Sequence, residues 1–173
     1  MGKNLPNDIK LITLTIQETL DVHSGNKVFK YLEHQFNISD LIPEDVIQAS
    51  LDNHKKDEDW FWCAPRLFYS VSKSVLVGSG VFISTLNKNE IEIGYGVISP
   101  FEGQGFATAG VGCLIKEAAT DGKIEAVLAQ TSIENIASAH VLEKNSFIRR
   151  GQRQDKEDGL LILWKYETQQ PVC

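Results

Sequence analysis

The chain has 173 residues, of which 42% are hydrophobic and 23% charged, an ordinary balance for one domain with a sizeable core. A net charge of −6 argues against nucleic acid held by a general positive field and mildly favours a cationic partner such as an amine. Cys63, Cys113 and Cys173 are widely spaced, and the four histidines form no ligand pattern, so we expect no metal, no disulfide framework and reduced thiols in a cytoplasm.

The opening MGKNLPNDIK lacks the apolar stretch of a secretory signal, and Pro6 stands where a myristoylation signal wants Ser or Thr. No run reaches the roughly 18 apolar residues of a membrane span, so no membrane partner is expected. Nothing splits the chain, and 1–173 reads as a single domain. Residues 9–15 alternate as a first strand. Residues 16–36 read as one helix, with Val28, Leu32 and Phe36 at four-residue spacing. Pro43 suits a first helical position, and Glu44 to Lys56 reads as a second helix. KKDEDW reads as a solvated turn, and the following WFW run, Trp60 to Trp62, serves either the core or the wall of an acceptor pocket.

Three strands follow, 66–72, 75–84 and 90–98, in an antiparallel meander set by short polar turns. Gly78 and Gly80 inside the second of them predict a bulge or a close backbone neighbour. The rhythm then changes to a helix over 105–120, a strand over 125–131, a helix over 135–145 and two closing strands, 147–153 and 160–166, around QDKEDG. This alternation predicts a mixed α+β fold, with a partly parallel sheet of about six or seven strands covered by about four helices.

The segment IEIGYGVISPFEGQGFATAGV, residues 91–111, carries the chemistry: a strand, a glycine-bearing turn and a helix start. Free N–H groups at a helix start make a concave anion site, and the helix dipole adds positive potential. Gly103 and Gly105 permit the backbone angles such a turn needs. No lysine follows, so this is not a Walker loop, and a full GxGxxG fingerprint is missing. A second strand then ends in SIENIASAHVLEKNSF, residues 132–147.

Strand–ExxGxA–helix followed by strand–NxxSxxVLEKxxF resembles the GNAT acetyltransferase superfamily, and most of all its RimJ/RimL-type branch. The resemblance implies a mostly antiparallel sheet splayed in the middle and acetyl-CoA as co-substrate. It implies a primary amine as acceptor, on a small molecule or a protein N-terminus, and a homodimer as an assembly seen in such enzymes. By the same resemblance the backbone of Gly103, Gln104, Gly105, Phe106, Ala107 and Thr108 holds a pyrophosphate. The chain departs from the family pattern at Glu102, where Arg or Gln is usual, at Leu142, where many members place a Tyr that protonates the leaving thiolate, and at Ser146, where Gly is common.

Acetyl transfer needs an extended pantetheine, a polarised carbonyl, a deprotonated amine and a stabilised thiolate. Tyr95, Gly96, Val97 and Ile98 offer strand backbone to pair with the pantetheine and to polarise the carbonyl, and the GYG sequence predicts a bulge there. Glu92 faces opposite to Ile91 and Ile93 and is the first candidate base, with a salt-bridged strand residue as the alternative. Glu157, in the QDKEDG turn, is the second, with a solvated turn charge as the alternative. Asn135 is expected to contact the pantetheine or to cap its helix, and Ser138, one turn on, to act as thiolate acid or hydrogen-bond donor, or simply to pack. No Cys lies in the motif segments, so direct transfer in a ternary complex is expected. The rivals are a non-catalytic CoA-binding module and a nucleotide-binding protein built on the same turn.

Overall fold

Residues 8–168 are described by the structure, a computed structural model. Strand β1 (Ile9–Thr13) leads into helix α1 (Ile16–His23) through a capping box. The Glu18 N–H donates to the Thr15 hydroxyl at 3.2 Å, and the Thr15 N–H donates to the Glu18 carboxylate at 2.8 Å. Gly25, at φ +103°, takes the chain out of the helix. The expected helix over 16–36 therefore stops early. A two-stranded hairpin replaces its second half, β2 (Val28–Tyr31) and β3 (His34–Asn37). The four-residue recurrence of Val28 and Leu32 was misleading, because these side chains are 54% and 72% exposed. Phe29 is the buried one, and alternation rather than helical period sets what packs inward.

Helix α2 (Glu44–Lys55) follows Pro43, and α3 (Trp60–Cys63) starts at Asp59, whose carboxylate accepts from the Phe61 N–H at 2.9 Å. The WFW run belongs to the core rather than to a pocket wall. The Trp60 indole N–H donates to the Leu14 carbonyl at 2.9 Å, and Trp62 packs on Phe82 with ring centroids 5.2 Å apart. The meander follows as β4 (Arg66–Ser70), β5 (Val75–Ser84) and β6 (Glu90–Val97), close to the expected bounds. A short 3-10 turn over Ser99–Phe101 precedes α4 (Phe106–Ala119), β7 (Ala126–Ser132), α5 (Ile136–Lys144), β8 (Ile148–Asp155) and β9 (Gly159–Glu167).

The seven-stranded sheet runs β1-β4-β5-β6-β7-β9-β8, and every pair is antiparallel except β6 with β7. That parallel pair holds only from Glu90–Glu92 to Ala126–Leu128. Beyond it β6 stays on β5 while β7 stays on β9, so the two strands diverge in the middle of the sheet. No bulge at the GYG sequence causes this, because β6 keeps an unbroken register with β5 from Ile91 to Val97. The register shifts fall instead at Phe68/Tyr69 and Arg149/Gly151. Gly78 sits where any Cβ would collide with the Gly96 carbonyl, which explains one of the two glycines in β5.

Two cores flank the sheet. Phe68, Phe106, Val111, Leu114, Leu142 and Phe147 pack beneath α4 and α5, and Leu14, Val22, Ile38, Ile47, Leu51 and Leu67 pack beneath α1 and α2. Fully buried Arg66 ties the layers together. Its Nε donates to Glu117 at 2.9 Å, its other nitrogens to the carbonyls of Ala64 and Phe61, and its plane lies over the Phe82 ring. Among the described residues no helix is long and apolar enough to cross a membrane. The N-terminal stretch weighed as a targeting signal, through Asn7, and Cys173 lie outside the described residues.

Candidate active site

The divergence of β6 from β7 leaves the β7-facing edge of β6 without a strand partner from Ile93 onward. At the end of that edge the chain turns through Gly103 (φ +69°) and Gly105 (φ +88°) into α4. Gly105 is the N-cap in the left-handed region, and no side chain caps this helix. Among the described residues nothing accepts from the backbone N–H groups of residues 103–108. The turn is braced from outside, where the Gln104 amide donates to the Pro100 carbonyl at 3.0 Å. The Asn145 amide donates to the Thr108 carbonyl at 3.1 Å and to that of Val141, fixing α5 against the start of α4.

These N–H groups border a cavity of about 710 Å³ between α4, α5 and the free end of β6. Of the residues named from sequence, Tyr95, Gly96, Val97, Gly103, Gly105, Phe106, Ala107, Thr108, Asn135 and Ser138 all line it. Ile98 and Gln104 do not; Ile98 lines the cavity on the opposite face, and the Gln104 side chain braces the loop. Asn135 caps α5, its side chain accepting from the Ser138 N–H at 3.0 Å. The wall also carries His140 and the cationic Lys144, one turn apart on α5, which the sequence reading did not single out. Glu102 lines the same cavity and opposes an anion there. The residues fit the pyrophosphate of coenzyme A: unpaired donors at a helix start with Lys144 across from them.

Tyr95 was singled out for its backbone, yet its side chain is the more telling part. Its hydroxyl donates to the Ser138 carbonyl at 3.2 Å, inside the cavity. Burial pushes its pKa up to about 12, so it is a protonated phenol at neutral pH. Leu142, one turn beyond Ser138, is fully buried and presents no polar atom.

The opposite face of β6 carries Glu92. Both of its carboxylate oxygens accept from the Gln130 amide, at 3.0 and 2.9 Å. The Gln130 carbonyl accepts from Arg153 at 2.9 Å, and Arg153 pairs with Asp155 at 3.1 Å. Gln130 and Arg153 carry no local motif, so only the pairing of β7, β8 and β9 brings them to Glu92. Glu92 stands directly opposite Ile83 in the β5–β6 ladder. Ile83, Val81, Gly94 and Gly96 line a second cavity of about 650 Å³ on this face, bounded by residues 40–46. Tyr95, Gly96 and Val97 border both cavities, so this stretch of β6 is the wall between them. Glu157 is exposed in the β8–β9 turn, where its N–H donates to Asp155 at 2.9 Å, and it lines neither cavity. Among the described residues no group of His, Cys, Asp and Glu is arranged to hold a metal ion.

A splayed sheet with an anion-binding turn at its open edge defines a class of acyl-transfer folds, and the comparisons agree. The family described as Acetyltransferase (GNAT) domain matches residues 11–148, and the chain belongs to it. It is therefore an acyltransferase of a family that uses acetyl-CoA as co-substrate. Similar solved structures include the spermidine/spermine N-acetyltransferase SpeG of Vibrio cholerae, at TM-score 0.64 and 14% identity over 95% of each chain. The ribosomal-protein-S5-alanine acetyltransferase of Vibrio fischeri aligns at TM-score 0.63 and 12% identity over 93% of each chain. A GNAT-family acetyltransferase of Bacillus anthracis aligns at 0.62 and 16%, over 93% of this chain and 95% of that one. Among curated proteins none matches at the sequence level.

Proposed function

We propose that this chain, acting as one catalytic unit, moves an acetyl group from acetyl-CoA to a primary amine by direct transfer, as a RimJ/RimL-type N-acetyltransferase. One observation carries the reading. A single cavity joins the unpaired N–H groups of residues 103–108 at one end to Ser138 and Tyr95 at the other, along the open edge of β6. The NxxSxxVLEKxxF segment, with Leu142 in it, favours the RimJ/RimL branch.

Bound acetyl-CoA supplies the acetyl group as a thioester. Residues 103–108 hold its pyrophosphate, Lys144 adds opposite charge, and the backbone from Tyr95 to Ile98 pairs with the pantetheine and polarises the thioester carbonyl. Asn135 and the Ser138 hydroxyl serve the sulfur end of the cavity. Glu92 accepts a proton from the ammonium, held in place by Gln130 with Arg153 behind it. Like Glu157 it lines neither cavity, but it is favoured because its ladder partner Ile83 lines the second one. The Tyr95 hydroxyl gives its proton to the departing sulfur and regains one from solvent, to which the nitrogen sheds its second proton as the amide forms; an aliphatic hydroxyl such as that of Ser138 is a poor acid and stays a hydrogen-bond donor. Base and acid then stand on opposite faces of β6, and amine and thioester meet at its open edge, where the nitrogen bonds the acetyl carbon as the sulfur leaves.

Turnover of acetyl-CoA with a panel of amines and N-terminal peptides tests the function. Acetylated product is expected, with Glu92→Gln slowing its formation about 100-fold or more. CoA binding without turnover on any acceptor would instead leave the chain as a CoA-binding module.

A further inference from the structure

We propose that the cavity on the α2 side of β6 is the acceptor site and takes a monoamine on an uncharged apolar body, not a polyamine. The inference rests on the acetyltransferase reading and adds the acceptor's chemistry. The cavity, about 650 Å³, is of the size of ordinary small-ligand sites. Its walls are aliphatic: Leu41, Val46, Val81 and Ile83 face it, and Ile83 is 41% exposed. Covering exposed aliphatic surface is most favourable when the group that enters is apolar and brings no charge to be stripped of water.

The cavity's charge argues the same way. Asp40 is the one carboxylate that lines it among the described residues. It is exposed, where solvent and salt screen it. The Ser79 hydroxyl, also on the wall, already donates to the Leu41 carbonyl. A polyamine brings several ammonium groups, each needing a carboxylate or carbonyl once water is stripped away, and these walls supply too few. Glu92 does not line the cavity, but its ladder partner Ile83 does, so a single ammonium directed at Glu92 lays the amine's body along Ile83 and Val81. A free aryl or alkyl amine and a protein N-terminus with an apolar first residue share this chemistry.

The test measures dissociation constants of 2-phenylethylamine and spermidine for the protein by calorimetry at neutral pH. It adds acetyl-CoA turnover with both amines and with a short peptide beginning in Phe. We expect 2-phenylethylamine to bind at least about tenfold more tightly than spermidine. Ile83→Asp, at a part-exposed position, is expected to reverse that order, and Ile83→Ser, which sets no second carboxylate opposite Glu92, to weaken 2-phenylethylamine alone. Turnover of the peptide above the free amine assigns a protein N-terminus as the source, and the converse a small molecule; either supports the apolar site. Spermidine binding as tightly as 2-phenylethylamine, or Ile83→Asp leaving both constants unchanged, overturns the proposal. Absence of acetyl-CoA turnover on every acceptor defeats the acetyltransferase reading alone, because the binding comparison still decides what the cavity prefers.

Discussion

On the proposed reading, Tyr95 takes the part that many relatives give to a tyrosine at the position of Leu142. Leu142 is committed to the core beneath α5, so its position offers no proton. The Tyr95 phenol reaches the same helix from β6 and is held there by the Ser138 carbonyl. Tyr95→Phe keeps the ring and its packing but removes the proton. We expect kcat to fall about 100-fold with the CoA dissociation constant unchanged, measured by steady-state kinetics beside calorimetry. A purely structural role would move both together. Lys144 is an exposed charge lining the same cavity, where the proposed reading places the pyrophosphate. Lys144→Ala should raise the KM for acetyl-CoA about threefold at low salt, and added salt should erase the difference between variant and parent, because exposed ion pairs are weak and screened. Neither side chain was legible as functional in the sequence. A tyrosine in a strand and a lysine near a helix end are common, and only their convergence on one cavity distinguishes them.

At the scale of elements, the turn between β6 and α4 was the most readable part of the chain. Its signal is local: two glycines, no side-chain cap and a helix start. Gly105 lies at φ +88°, where a side chain is strained, so Gly105→Ala should cost about 1–2 kcal/mol in urea unfolding. It should also raise the KM for acetyl-CoA, since relieving the strain turns the N–H groups of residues 103–108 away from one another. The segment after α1 shows the opposite case. Its apolar residues fit a helical period by number, but Leu32 turns the hairpin at φ +54° without any glycine to announce it. Gly25 carried the available warning, as a helix stop. The hairpin forms because Phe29 alternates inward to the second core, and that preference depends on a core assembled from distant strands.

Burial favours the neutral forms of Tyr95 and Cys63, and so contributes stability that alkaline pH removes. Burial raises Tyr95 from an ordinary 10.0 to about 12, and raises Cys63 from 9.0 to about 11. Above pH 9 the unfolded chain releases these protons before the folded one does, so stability falls as pH rises. The contribution is present in full below about pH 9, where both groups stay neutral in either state. It is lost for Cys63 as pH passes about 11 and for Tyr95 as it passes about 12. Thermal melts from pH 8 to pH 11 should show a falling Tm, with a shallower slope in Cys63→Ala than in the parent. The high value also keeps Cys63 a thiol at neutral pH.

The sequence by itself determined the α+β class, the order of elements from Arg66 onward, the turn at residues 103–105 and the Asn135 cap, because each is written in neighbours a few residues apart. The tertiary structure alone decided where β6 leaves β7, which two cavities that parting opens, and which residues from distant strands and helices meet at them. The parting follows from competition among long-range pairings, β6 with β5 and β7 with β9, and no local pattern records which pairing wins.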